Sequence, residues 1–437
     1  MEKLLFKGGR IIDPANGIDK ILDISVESGK IAAVGEDLGS AGFKVIDVKD
    51  KVLTPGLVDM HVHLREPGRE DEETIESGCR AAAVGGFTAI ACMPNTNPVN
   101  DDSSVTEMII DKSKAANLIT VYPVAAITKG LEGKELSEMG ELLQAGAVAF
   151  SDDGKCVEND RVMRRALEYS RMFNVSLISH SESGELSAGG QINEGYYSTI
   201  LGLKGVPSAA EEIAIARDIV LAELTGARIH FTHVSTRGSV RMIEDAKKRG
   251  LQVTCDVTPH HLTLTDEALI EYDTNCKVNP PLRTKDDVEA LHKALAEGVI
   301  DAIASDHAPH ALHEKEVEFS AASFGMIGLE TTLPLMLTKI VGNGILSLTQ
   351  LIEKFTIAPA RVLNINKGTL SIGSDADIIV IDTKAKVKVD TDNFLSKSKN
   401  SPFNGWELNG AADCVVAGGK IIVEDRKLVN LNPMRNV

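Results

Sequence analysis

From residue 52 to residue 355, short apolar runs alternate with stretches whose apolar residues recur at helical spacing. Residues 52–58 read as a buried first strand. A helix over 74–84 follows, with acids at its start, where the dipole favours them, and Gly85-Gly86 at its end. The same alternation then predicts strands over 87–93, 119–127, 147–150, 175–179, 228–232, 251–257 and 301–305. Helices are predicted between them over 104–116, 136–144, 161–173, 208–224, 239–249 and 285–296, with two more over 330–340 and 349–355. Ser208-Ala209-Ala210-Glu211 has the pattern of a capping box at the start of its helix.

The two ends of the chain read differently. Residues 4–6, 10–12, 23–26, 30–34 and 44–48 are short strand candidates separated by Gly and Asn-Gly turns, with no helical period. Residues 377–381 and 414–417 look alike, and Gly8-Gly9-Arg10-Ile11-Ile12 is echoed by Gly418-Gly419-Lys420-Ile421-Ile422. The expectation is one small β-sandwich domain built from both termini, residues 1–53 and 366–437. The α/β segment 54–365 is inserted into it as a (β/α)8 TIM-type barrel. An open doubly wound sheet would need a Gly-rich phosphate loop after an early strand, and the sequence has none.

In such a barrel, chemistry gathers where the strands end at their C-terminal rim. Strand one ends in Asp59-Met60-His61-Val62-His63-Leu64-Arg65, where strand alternation puts His61 and His63 on one side and Val62 on the other. Strand four ends in Ser151-Asp152-Asp153-Gly154, strand five in His180, strand six in His233 and strand eight in Ser305-Asp306-His307-Ala308-Pro309-His310. One His-x-His by itself is more often packing than chemistry. Potential metal ligands at five strand ends on one rim are much harder to explain that way. Four His and two Asp suit two divalent ions sharing a carboxylate and a hydroxide.

The chain has 437 residues and a net charge of −17 from 46 basic and 63 acidic residues, without a Lys/Arg run. That argues against a nucleic-acid or anionic-membrane partner. Six cysteines without a Cys-x-x-Cys pair, in a chain this long, point to free thiols in a reducing compartment. The N-terminal apolar stretch is too short for a signal peptide, and no run approaches ~20 apolar residues, so the cytoplasm is the expected location.

Val58-Asp59-Met60-His61-Val62-His63-Leu64-Arg65, Met93-Pro94-Asn95-Thr96-Asn97-Pro98, Phe150-Ser151-Asp152-Asp153-Gly154 and Ser305-Asp306-His307-Ala308-Pro309-His310 resemble the amidohydrolase superfamily. The closer resemblance is to class I dihydroorotases, and it runs over essentially the whole chain. It implies two zinc ions per chain, one on His61 and His63 and the other on His180 and His233. Asp153 would bridge them, although alternation lets only one of Asp152 and Asp153 face the metals. Many superfamily members bridge with a carboxylated Lys at this point; the Asp pair argues against a hydantoinase. Asp306 would touch the first zinc and act as acid/base.

The implied substrates, N-carbamoyl-L-aspartate and dihydroorotate, carry carboxylates, which a bidentate Arg holds best. The resemblance assigns substrate binding to His63, Arg65, Asn95, Asn279, His310 and the backbone around Phe324 and Gly325. Taken alone, Asn95 and Asn279 read as turn formers near Pro. His260 and His261 read as structural. An allantoinase-like enzyme would keep the metal ligands and lose the Arg65–Asn95 clamp. A non-catalytic scaffold subunit would have lost ligands. The resemblance leaves room for a homodimer and for association with an aspartate transcarbamoylase.

Overall fold

Each apolar run of the middle segment pairs only with the next, and the series closes on itself. The computed structural model describes residues 2–429. Its barrel strands are β1 (Leu57–Val62), β2 (Phe87–Cys92), β3 (Thr120–Ala125), β4 (Ala149–Ser151), β5 (Leu177–Ser179), β6 (Ile229–Phe231), β7 (Val253–Val257) and β8 (Ala302–Ile303). They form one parallel sheet in chain order. At the closing seam, Val62 bridges His307 and the His63 N–H donates to the His307 carbonyl at 2.8 Å. The Asp59 carboxylate accepts the Ser305 N–H at 3.1 Å across the same seam.

Met60, Ala91, Val124, Ala149, Ile178, Ala302 and Ala304 fill the barrel, with Val362 and Leu363 in the same cluster. Small residues leave room for the few long ones, as expected for a packed barrel interior rather than a pore. A much larger core lies between the strands and the surrounding helices. The helix Ile75–Gly85 starts on a reciprocal Thr74–Ser77 capping box and ends at Gly86, φ 94°. The Ser208–Thr225 helix starts differently from expectation. Ser208 is its first residue rather than its cap, and the Glu211 carboxylate accepts the Ser235 and Thr236 N–H groups at 3.0 and 3.2 Å. The expected helix over 330–340 is an α-turn, Thr332–Met336, that widens into a π-helical turn, Leu337–Val341.

The termini form a nine-stranded sheet around a separate apolar core of Leu4, Phe6, Ile24, Ile378, Val380 and Val416, among others. The run over 52–58 is not one strand. Val52–Pro55 belongs to this terminal sheet, antiparallel to Ile378–Lys388 and parallel to Leu4–Asp13, and β1 begins after Gly56. Any side chain at Gly56 would collide with the Thr88 hydroxyl, so the chain crosses between sheets where only glycine fits. The Gly-Gly echo has two geometries. Gly8 (φ 77°) sits at a register shift inside Leu4–Asp13, whereas Gly418-Gly419 turns between Glu407–Ala417 and Lys420–Glu424. No helix among the described residues is long and apolar enough to cross a membrane, and all six cysteines are free.

Candidate metal centre and substrate pocket

Strand β1 delivers its two histidines through an irregularity. Asp59 pairs with Ile90 and Val62 with Cys92, so β1 carries one more residue than β2 over this span. Such a bulge bends the strand and re-aims side chains. The His61 and His63 rings end 5.2 Å apart, tilted by 60°, with their Nε2 atoms facing the same carboxylates.

Asp153 stands in the middle of four imidazoles. Its Oδ2 is 3.3 Å from His61 Nε2 and 3.4 Å from His63 Nε2. Its Oδ1 is 3.5 Å from His180 Nδ1 and 3.4 Å from His233 Nε2. One oxygen therefore serves each histidine pair. The Asp306 Oδ1 lies 3.1 Å from His63 Nε2 and 3.6 Å from His61 Nε2. Asp152 turns away, accepting both the N–H and the hydroxyl of Thr128.

These groups fit a metal pair. His61 Nε2 and Asp153 Oδ1 are buried without a hydrogen-bond partner. The triads His61–His63–Asp306 and His61–Asp153–His233 each bring three ligand atoms within 4.8 Å of one another. His180 Nδ1 and His233 Nε2 are 3.0 Å apart, close to the spacing of two nitrogens on one ion at ~2.1 Å each. Burial by itself would raise the carboxyl pKa of Asp153 and Asp306; the histidines outweigh it, and both stay well below the usual range.

The faces of the rings turned away from the centre are held as well. His63 Nδ1–H donates to Asn95 Oδ1 at 2.8 Å. His61 Nδ1–H donates to Thr232 Oγ1 at 2.7 Å, and the Thr232 hydroxyl donates to Asp256 Oδ2 at 2.9 Å. The other oxygen, Asp256 Oδ1, accepts the His233 N–H at 2.7 Å. His233, Asp306 and Arg65 all have left-handed backbones, with φ of 40°, 48° and 62°. Strain of this kind collects where side chains must be aimed rather than merely packed.

A cavity of about 230 Å³ opens above the centre. His63, Arg65, Asn95, Asp153, His180, His233, Asn279, Asp306, His310, Phe324 and Gly325 line it, together with Gly154 and Ala308. His61 lies beneath, 1% exposed. Arg65 donates from Nε to the Pro309 carbonyl at 3.0 Å and pairs with Glu72. His310 donates from Nε2 to the Phe324 carbonyl at 2.8 Å. At Gly325, φ is 138°, and a Cβ would fall 2.7 Å from the Ala308 Cβ, so this wall needs glycine. His261 bonds Thr258 Oγ1 and the Pro280 carbonyl, and His260 is buried outside the lining.

Sequence reasoning passed over Thr232, Asp256 and Glu72. Asp256 is buried near the end of β7, so its position on the rim was a usable signal; Thr232 and Glu72 offered none. Glu72, His310 and Glu314 form a third cluster with ligand-type atoms within 4.8 Å. The Arg69 guanidinium already bridges Glu72 and Glu314 there.

Residues 50–239 match the family model described as dihydro-orotase-like. The chain is 54% identical over 420 residues to the dihydroorotase of Geobacter metallireducens, covering 96% of this chain and 99% of that one. It is 53% identical over 425 residues to the dihydroorotase of Syntrophus aciditrophicus, covering 97% and 100%. Among solved structures, the L-hydantoinase (dihydropyrimidinase) from Arthrobacter aurescens superposes with a TM-score of 0.88 at 28% identity, over 98% of both chains. The dihydropyrimidinase of Brevibacillus agri shares the fold, with a TM-score of 0.86 at 23% identity over 98% of this chain and 96% of that one.

Proposed function

Because the chain belongs to the dihydroorotase family of cyclic amidohydrolases, we propose that it interconverts N-carbamoyl-L-aspartate and (S)-dihydroorotate in pyrimidine synthesis. The observation that carries this reading is the placement of Asp153, with one oxygen toward each histidine pair, beneath a pocket lined by Arg65. The centre suits ring-amide chemistry, and the cation suits a carboxylate-bearing ring. Zinc is the proposed metal, two ions per chain, held by His61, His63, Asp153, His180, His233 and Asp306.

Held by these residues, divalent cations would supply a water of lowered pKa and would draw charge from the scissile carbonyl oxygen. The chain's own groups do the rest. Arg65 holds the substrate carboxylate, and Asn95, Asn279, His310 and the Phe324–Gly325 backbone orient the ring. Asp306, beside His61 and His63, takes the proton from the attacking water and passes it to the departing ring nitrogen. In the synthetic direction, Asp306 removes a proton from the carbamoyl nitrogen as that nitrogen attacks the side-chain carboxyl, and returns it to the carboxyl oxygen, which leaves as water when its C–O bond breaks.

The same proposal takes residues 1–53 with 366–437 as a small β domain and 54–365 as the catalytic barrel, with the first boundary moved to Gly56 because Val52–Pro55 pairs within the terminal sheet. It places the enzyme in the cytoplasm, with a homodimer and contact with an aspartate transcarbamoylase as assemblies to be tested. The deciding experiment is ring closure of carbamoyl aspartate by the purified, zinc-loaded chain alone, with allantoin and hydantoin run in parallel. Turnover of carbamoyl aspartate and dihydroorotate, with little for the neutral rings, is expected. A zinc-loaded chain that turns over only neutral rings, or nothing, overturns the assignment.

A further inference from the structure

The pocket wall that carries Phe324 and Gly325 belongs to an irregular loop, residues 319–325, with no helix or strand to hold it. Side chains hold it instead. The Lys277 ammonium donates to the carbonyls of Phe319, Ser320 and Ala322 at 2.7, 3.2 and 2.7 Å. The Lys315 ammonium donates to the carbonyls of Ser323 and Gly325 at 2.8 and 2.9 Å. The remaining carbonyl toward the pocket, that of Phe324, is taken by His310. Two point charges with three donors each thus gather five carbonyls onto one side of the loop. Lys277 also packs its ammonium 4.5 Å from the centre of the Phe324 ring, and its own carbonyl accepts the Gly325 N–H at 2.8 Å. Both lysines are almost wholly buried, 2% and 4% exposed.

Buried lysines without a carboxylate partner are rare, because desolvating an ammonium is costly. Neither of these makes a salt bridge among the described residues. Their positive charge is spread over backbone dipoles. With its carbonyls turned inward, the loop leaves the Phe324 N–H, which donates to no described residue, as its free donor beside the pocket.

We propose that Lys277 and Lys315 are positioning residues for substrate recognition, fixing the backbone wall at Phe324–Gly325 by gathering the carbonyls of residues 319–325. The inference rests on the functional reading above. The lysines touch neither the metal centre nor the reacting atoms. Their effect therefore falls on binding. Burial pushes both ammoniums down to about 8; Lys277 lowers Lys315 further, and Asp273, Cys276 and Glu314 oppose this at Lys315.

The test compares Lys277→Met, Lys315→Gln and Lys354→Met. Lys354 is a third buried lysine, bonded to the Ile300 carbonyl at the opposite end of β8, and controls for the loss of a buried ammonium as such. Zinc content, kcat, KM for carbamoyl aspartate and hydrogen exchange of the 319–325 amides are measured on each. Either pocket-side variant is expected to raise KM about tenfold or more with kcat within a few-fold, the scale of a lost charged hydrogen bond. Zinc content stays at the wild-type level, and the loop amides exchange faster; Lys354→Met changes none of these. Faster exchange with unchanged KM overturns the proposal, as does a parallel loss of zinc and kcat at constant KM. If Lys277→Met does not fold, Lys315→Gln decides alone. A wild-type chain without dihydroorotase turnover overturns the functional reading, whereas an active wild type with indifferent lysine variants overturns this inference only.

Discussion

The Arg65 Nε lies 2.9 Å from the Glu72 Oε2, and both side chains are buried. The guanidinium assigned to the substrate carboxylate therefore already faces a carboxylate of its own chain. Two consequences follow, one for charge and one for pH.

Replacing Arg65 with Met removes the cation and leaves Glu72 and the substrate carboxylate without it. A lost charge-assisted pair costs on the order of 2–5 kcal/mol when its partner stays buried. KM for carbamoyl aspartate should rise steeply, with metal content unchanged. Near-native kcat/KM in Arg65→Met would place the carboxylate site elsewhere.

Glu72 competes with substrate only when ionised. Burial pushes its carboxyl up to about 7, helped by the hydrogen bond that its protonated form donates to the Glu314 carboxylate and opposed by Arg65 and Arg69. Below that pH, the neutral acid leaves Arg65 to the substrate; above it, the carboxylate claims part of the same charge. KM should therefore climb as pH rises through about 7. Glu72→Gln should flatten that climb, and superimposable KM–pH curves for variant and wild type would remove Glu72 from the account.

Asp153 and Asp152 are neighbours with opposite aims. Asp153→Ala takes away an oxygen from each histidine pair and should abolish most zinc binding. Asp152→Ala frees Thr128 instead and should cost stability before metal. Metal analysis of the two proteins separates them, and greater zinc loss from Asp152→Ala would reverse the assignment.

Asp306→Asn keeps shape and one oxygen ligand but cannot carry a proton. Zinc occupancy should stay near full and KM within a few-fold, while kcat falls by roughly 10²–10⁴, the usual share of general acid–base catalysis. Activity that drops only in proportion to lost zinc would make Asp306 a ligand and nothing more.

Asp256 is outside the lining of the pocket, yet it holds the Thr232 hydroxyl behind His61 and the backbone of His233. Partners of this kind typically change metal affinity by ~10–100-fold. Asp256→Asn and Thr232→Val should both weaken zinc retention against a chelator. Because Asp256 reaches His61 only through Thr232, the double variant should lose less than the sum of the two. Full additivity would show that the path is not shared.

Some of this was legible in the sequence, for a physical reason. A barrel strand is a short apolar run that stops at the rim, so His61, His180, His233 and Asp306 each declared a position by following such a run. The eight-strand alternation and the terminal sheet could be read in the same way. The choice between Asp152 and Asp153 could not, because it depends on Thr128, which is remote in sequence. The run over 52–58 looked continuous because apolar character does not change at Gly56, where the chain leaves one sheet for another. The Ser208–Glu211 spacing suggested a local cap, but Glu211 meets two better donors at Ser235 and Thr236. Thr232 acts through His61, which only the closed barrel brings near, whereas Glu72 and the two lysines under the 319–325 loop act through irregular loop contacts that no apolar period marks.

The seam between the two sheets also bears on synthesis at the ribosome. Val52–Pro55 leaves the exit tunnel early, but its antiparallel neighbour Ile378–Lys388 follows about 320 residues later, a wait on the order of 20–60 s at 5–20 residues per second. Throughout that interval a nascent strand edge stands open directly upstream of the histidine-bearing β1. The barrel can assemble in the meantime, but the N-terminal strands cannot be sealed before translation is nearly over. A stalled or prematurely ended message would thus release a chain with its rim largely built and an adhesive border exposed, a natural substrate for chaperones.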